Sequence, residues 1–236
     1  MSVGEDRDGA DREGRDTTGA PRDSAQGARP APRGPVVAIV PAAGASRRMG
    51  RAKLLLPFGD TTLVGALADA LHQGGAEAIV VVTAPGDAAL RAWSAEAGLV
   101  SAINPRPEQG MLSSVRAGIA ALGGAAELGR RGATLLVTPA DLPALRGETV
   151  TELLQRLAAS PWARLAVPVY RGRRGHPLAI AALLLDEIDA LDPRRGLRHL
   201  LDRHLGDLLE VVVEDPGAVA DVDTPGDYES LRPRAC

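Results

Sequence analysis

The chain has 236 residues, 45% of them hydrophobic and only 2% aromatic, with a net charge of −3. That length suits one sizeable α/β domain, the scarcity of aromatics requires a core of Leu, Val, Ile and Ala, and the slight acidity argues against a general nucleic-acid binder. The single cysteine, Cys236, excludes a disulfide framework or a cysteine-based metal site within the chain; no apolar run reaches the length of a membrane span and the first residues lack the apolar segment of a secretory signal, so a cytoplasmic protein is expected.

Residues 1–34 are rich in Gly, Asp, Arg, Ala and Pro and almost free of large apolar side chains. Ordering the backbone costs roughly 1–2 kcal/mol per residue, and this segment has little to bury in return. It reads as a disordered, solvated leader, with a domain expected over residues 35–236. From Val36 onward strand and helix patterns alternate. Short β-rich runs occur at Val36–Val40, Ile79–Thr83, Leu99–Ile103, Thr134–Thr138, Leu165–Val169 and Leu208–Val213. Their continuous apolar character is that of parallel strands covered on both faces. Pro168 places the Leu165–Val169 run at a sheet edge or at a strand end. Helical spacing puts Leu63, Leu67 and Leu71 on one face, likewise Val115, Ile119 and Leu122, and again Val150, Leu153, Leu154 and Leu157. Gly74-Gly75 and Gly123-Gly124 close two of these helices. The alternation predicts one doubly wound, mostly parallel α/β sheet of Rossmann-like type. Ligands of such sheets bind at the carboxyl ends of the strands, so the loops there carry the chemistry.

Five such loops are informative. Pro41-Ala-Ala-Gly-Ala-Ser-Arg-Arg-Met-Gly-Arg-Ala-Lys53 follows the first strand; a small-residue turn with three arginines and a lysine is a means of holding a polyphosphate, although it matches neither the dinucleotide fingerprint nor the P-loop. Asn104–Ser114 leads into a helix beginning near Met111; Gly110 permits close approach, and Ser113 and Ser114 lie in the first turn, where N–H groups favour an anion. Asp141, stiffened between Pro139 and Pro143, either holds Mg²⁺ or caps the next turn. Tyr170–Pro177 combines Arg171, Arg173 and Arg174 with two glycines as a further anion site, in which His176 is a proton donor, a substrate contact or a turn residue. In Ala220–Pro225, alternation places Asp221 and Asp223 on one side of an extended segment. They either complete a metal site with Asp141 or, with Thr224 and Pro225, start the last helix. His72, His199 and His204 lie in helical stretches without metal-ligand spacing.

Taken in order, Pro41–Gly50 with Lys53, Gly110-Met with Ser113, Asp141-Leu-Pro143, Gly175-His-Pro177 and Asp221-Val-Asp-Thr-Pro225 resemble the MobA-like nucleotidyltransferases of molybdenum-cofactor maturation, over about residues 36–232. Ala-Ala-Gly, where the guanylyl relatives have Ala-Gly-Gly, resembles the cytidylyl branch. The resemblance implies CMP transfer from CTP to the terminal phosphate of molybdopterin. It implies that the backbone at Ala42, Ala43 and Gly44, with Gly110 and Ser113, meets the nucleotide, that Arg47 and Lys53 act catalytically on the triphosphate, that Asp141 and Asp223 hold Mg²⁺, and that Arg174 and His176 face the pterin. A recipient molybdoenzyme or its chaperone is the implied destination of the product. The chain departs from the pattern on the acceptor side: Asp-Gln-Pro is Asp141-Leu-Pro143, Gly-Asp-x-Gly-Ala-Arg is Asp192-Pro-Arg-Arg-Gly-Leu-Arg198, and the residue two beyond Gly-His-Pro is Ala179, with Ile180 next rather than Phe. The alternatives are a guanylyltransferase for the same pterin, another small-molecule cytidylyltransferase, and a non-catalytic cofactor carrier, which has no need for Lys53, Asp141 and Asp223 together.

Overall fold

The computed structural model describes residues 34–44 and 53–233. Arg47 and the leader through residue 33 therefore lie outside the described residues. In chain order the strands are β1 (Val36–Pro41), β2 (Pro57–Phe58), β3 (Thr61–Thr62), β4 (Ala78–Thr83), β5 (Val100–Ile103), β6 (Thr134–Val137), β7 (Leu165–Tyr170), β8 (Arg173–Arg174), β9 (Leu178–Ala181) and β10 (Leu208–Val212). The helices are α1 (Leu63–Gln73), α2 (Ala88–Glu96), α3 (Met111–Ala121), α4 (Ala125–Arg130), α5 (Gly147–Ala158), α6 (Leu197–Arg203) and α7 (Pro225–Leu231). Among the described residues no helix is long and apolar enough to cross a membrane.

The main sheet runs β10-β7-β9-β6-β1-β4-β5, with β8 paired to β7, and β2–β3 form a separate hairpin. Pairing is parallel from β6 through β1 and β4 to β5, and again between β7 and β10. Only β9 and the short β8 run against the rest. All six apolar runs read from the sequence are strands, and the expected doubly wound, mostly parallel sheet is the one observed. The antiparallel β9 lies inside an unbroken apolar stretch, Leu178–Leu185, whose pattern gives no sign of where strand ends and turn begins.

One expectation is overturned. β7 is an interior strand, flanked by β10 on one side and by β9 and β8 on the other, so Pro168 marks neither an edge nor a strand end. The Pro168 carbonyl accepts from the Gly175 N–H at 2.8 Å, so the position of its missing N–H faces the same side. There the ladder stops at Ala166 with Ala179 and resumes at Val169 with Arg174. The proline sits opposite a break in pairing, where a lost donor costs little.

Strand alternation divides the core into two layers. Val36, Ala38 and Val40 of β1 meet Leu67 and Leu71 of α1 and Val150, Leu153 and Leu157 of α5. Val37 and Ile39 meet Leu112, Val115 and Ile119 of α3, together with Leu184, Leu185 and Ile188 from the 3₁₀ segment Ala182–Ala190. Leu, Val, Ile and Ala do fill both layers; Phe58 is the one buried phenylalanine, in a small separate cluster with Leu63 and Val222. The parallel strands thus bring the loops after β1, β4, β5, β6, β7 and β10 to one rim.

Candidate active site

At that rim the ammonium of Lys53 lies 2.9 Å from Oδ2 of Asp141 and 3.3 Å from Oδ1 of Asp223. These residues are 88 and 170 positions distant from Lys53 in sequence. Lys53 is buried, at 6% exposure, whereas the Asp141 and Asp223 side chains are 25% and 57% exposed. A buried ammonium without partners is prohibitive, so the two carboxylates fix where Lys53 points. The frame behind them is rigid. Lys53 opens a 3₁₀ turn, Lys53–Leu55, whose Lys53 carbonyl accepts from the Leu56 N–H at 3.1 Å, while Leu54 and Leu55 pack on the core. The Val222 N–H donates to the Asp141 carbonyl at 3.0 Å, and the Val222 side chain is fully buried beside Phe58 and Leu63.

Asp223 is held from its other side as well. Thr224 caps α7, with Pro225 at the first turn, in a reciprocal capping box with Asp227. The Asp227 carboxylate accepts from the Asp223 N–H at 3.1 Å and the Thr224 N–H at 2.7 Å. These hydrogen bonds, led by the one from the Thr224 hydroxyl, hold its pKa below the ordinary carboxylate value. The Tyr228 hydroxyl donates to the Pro57 carbonyl at 2.6 Å, tying α7 to the hairpin beside Lys53. Of the sequence readings of this segment the helix start is met, since Thr224 caps the last helix, and Asp223 stands against Lys53. Thr224-Pro-Gly-Asp227 is the signal that identifies the capping box.

Asp221 separates from its neighbour. It lines a cavity of about 320 Å³ together with Pro139, Asp141, Arg174, His176 and Val219. Among the described residues no group of three or more His, Cys, Asp or Glu side chains has a metal-holding arrangement. The expected three-carboxylate set is thus corrected: Asp221 and Asp223 flank buried Val222, but Asp221 turns to the cavity and Asp223 to Lys53. Asp141 borders both.

The cavity wall is less fully satisfied internally. His176 Nδ1 is buried with no hydrogen-bond partner. Burial pushes the His176 pKa below 6.5, against the opposing effects of the Val137 backbone and the charges of Asp141 and Asp221. Arg174 is half-exposed, and its Nε lies 2.6 Å from Glu210 Oε1. The backbone here is held closely: the His176 N–H donates to the Ala218 carbonyl at 2.8 Å, and a side chain on Gly175 would collide with that carbonyl. Behind it, the buried Asp215 carboxylate accepts from Thr149 Oγ1 at 2.7 Å, Gly217 N at 2.9 Å and Arg146 N at 3.0 Å. Asp215 carries no recognisable motif, and neither does the next such residue, Asn104.

On the far side of the rim, Ala42 continues the β1–β4 ladder through its N–H to the Val82 carbonyl at 2.8 Å. Ala42 and Ala43 are buried, while Gly44 is exposed with open space where a side chain would stand. Gly110 has φ +85, a conformation that favours glycine, and it turns the chain into α3. Ser113 Oγ accepts from Asn104 Nδ2 at 2.7 Å and donates to the Gly110 carbonyl at 2.7 Å, while Ser114 Oγ accepts from the same amide at 2.9 Å. Buried Asn104 thus organises the α3 start, and the Ser113 hydroxyl braces it. His72, His199 and His204 take structural places: His72 Nδ1 meets the Ala76 carbonyl, His199 Nδ1 accepts from the Asp192 N–H, and His204 stands between Glu187 and Asp207.

Residues 38–208 match the MobA-like NTP transferase domain. The chain is 24% identical to the molybdenum cofactor cytidylyltransferase of Escherichia coli K12, with coverage of 83% of this chain and 95% of that protein. It is 32% identical to the nicotine blue oxidoreductase of Paenarthrobacter nicotinovorans, covering 80% and 92%. The crystal structure of Rv0371c from Mycobacterium tuberculosis H37Rv superimposes with a TM-score of 0.70 at 28% identity, covering 84% and 97%; a manganese complex of the same protein gives 0.65 at 25%, covering 84% and 98%.

Proposed function

The chain belongs to the MobA-like NTP transferase domain family, and from that premise we propose that it transfers CMP from CTP to the terminal phosphate of molybdopterin, releasing pyrophosphate. The observation that carries this reading is the convergence of Lys53, Asp141 and Asp223 at the carboxyl rim of the sheet. The name of the Escherichia coli relative supports both the base and the acceptor.

The acceptor needs no general base. A phosphate monoester has its second pKa near ~6 and is largely ionised at neutral pH, so its oxygen can attack the α-phosphorus directly while pyrophosphate leaves. The protein's task is positioning and charge neutralisation. Lys53, with Arg47, stabilises charge gathering on the α-phosphate and the leaving group. The backbone at Ala42–Gly44 and the α3 start at Gly110, braced by Ser113, hold the nucleotide. Arg174 meets the negative charge of the acceptor, and His176, kept neutral by burial, forms part of the wall against which the acceptor rests. Asp141 and Asp223 would hold Mg²⁺: two partly exposed carboxylates suit a hard cation that keeps water and phosphate oxygens as its other ligands. Bound there, the ion would offset phosphate charge and align the reacting oxygens. The manganese complex of Rv0371c supports a divalent ion in this fold.

The name of the Paenarthrobacter relative supports a second reading, an oxidoreductase using the same crevice. Incubation of the protein with Mg²⁺, molybdopterin and each of CTP, GTP, ATP and UTP, read as pyrophosphate release, separates the two. Release with CTP only when the acceptor is present is the expected result. Preference for GTP reassigns the base. Silence with all four nucleotides overturns transfer and leaves the redox reading.

A further inference from the structure

We infer that the Lys53 ammonium is a resident counter-ion for the divalent-cation position, and that an ion entering between Asp141 and Asp223 displaces it toward the triphosphate. The inference rests on the proposed reading, since it presumes a divalent ion at these carboxylates. A single Nζ lies within 3.3 Å of an oxygen of each carboxylate. It thus takes up the space that an ion bridging the two would need.

The three groups differ in how they are held. The backbones of Asp141 and Asp223 are fixed by contacts that do not involve Lys53. Val222 N–H binds the Asp141 carbonyl and Asp227 binds the Asp223 N–H. The lysine is fixed at its base by the 3₁₀ turn and the packing of Leu54 and Leu55, but its four-carbon stem has rotatable bonds throughout. Displacement therefore moves one long side chain and leaves in place the backbone that carries the two carboxylates. Charge favours the exchange. Two carboxylates and one ammonium leave one negative charge over, which a dication removes, while a dication and an ammonium in the same space repel.

The same arrangement makes the exchange depend on nucleotide. With no third acidic or histidine ligand grouped there among the described residues, an ion arriving alone gains few protein ligands and must part a buried ammonium from its two carboxylates. A triphosphate supplies both the missing ligands and a new partner for Lys53. Ion and nucleotide are then coupled, and by linkage each strengthens the other equally.

The test is Mn²⁺ binding to the whole protein, followed by the electron paramagnetic resonance signal of the free ion, with no acceptor present. Without nucleotide, Lys53→Gln should bind Mn²⁺ at least about tenfold tighter than wild type, because the competitor is gone. With CTP the difference should shrink, since wild-type Lys53 then has a phosphate partner. Equal or weaker binding by Lys53→Gln without nucleotide overturns the exchange and leaves the transferase reading intact. Absence of Mn²⁺ binding by both proteins even with CTP overturns the cation site itself. Should circular dichroism show Lys53→Gln unfolded, wild type labelled with ¹⁵N at lysine Nζ carries the test. Titration with Mg²⁺ and CTP should shift the Lys53 resonance, and a resonance that stays in place contradicts displacement.

Discussion

The crevice at Lys53 and the cavity at His176 share Asp141 yet are built on opposite plans. Around Lys53 the charged groups are set against one another: a buried ammonium between two carboxylates, with the Asp223 backbone steadied through Asp227. Around His176 the backbone is closely held but the polar groups are less fully paired within the protein. Among the described residues Nδ1 has no partner, and the Arg174 side chain pairs with exposed Glu210. The contrast follows from what each region would hold. Triphosphate charge is similar in every nucleotide, so its binding groups can be prearranged against one another. An acceptor is recognised by groups that the protein itself does not satisfy.

Substitutions should separate the two regions by the size and kind of their effects. Lys53→Ala removes the cation of the first region and should lower kcat by roughly 10²–10³-fold, as for the loss of one preorganised donor; near-normal turnover by a folded variant contradicts the assignment. Asp215→Ala attacks the frame of the second region. It leaves the Thr149 hydroxyl and two N–H groups without their buried acceptor, and urea denaturation should record a loss of about 3 kcal/mol. Arg174→Ala should raise the KM for the acceptor about tenfold while leaving that for CTP unchanged, the worth of one charge-assisted contact of ~1.4 kcal/mol. Its stability should change by less than about 1 kcal/mol, because the pair with Glu210 is exposed.

The smallest effect is the pH response of His176. Burial holds its folded pKa below 6.5. Between these two values the unfolded chain binds a proton that the folded chain does not, so stability falls as pH drops through that window and levels off below it. His176→Gln should remove this contribution. Its melting temperature should fall about 2 °C less than that of wild type on acidification from about pH 7 to pH 5.5; parallel profiles would show that His176 is not desolvated.

Much of the first region was legible in the sequence, because apolar runs mark strands and a strand's carboxyl end locates its loop. Lys53, Asp141 and Asp223 each follow such a run or its turn, and their convergence follows from parallel topology. The second region was harder to read. Its strand β9 hides within continuous apolar sequence, Pro168 is interior because pairing breaks opposite it, and Asp221 parts from Asp223 across a buried valine whose packing no local pattern reveals. Asn104 and Asp215 act through long-range hydrogen bonds to residues 9 and 66 positions away, and such partners are visible only after folding. The capping box at Thr224 and Asp227 was within reach of the sequence, since its spacing is local.

The most direct measurement follows the phosphorus itself. With CTP labelled at the α-phosphate, molybdopterin and Mg²⁺, the account predicts that label moves into the pterin product while unlabelled pyrophosphate is released, and that Lys53→Ala slows both together. Label that remains in CTP, or is released only as CMP when the acceptor is present and the protein is folded, would contradict it.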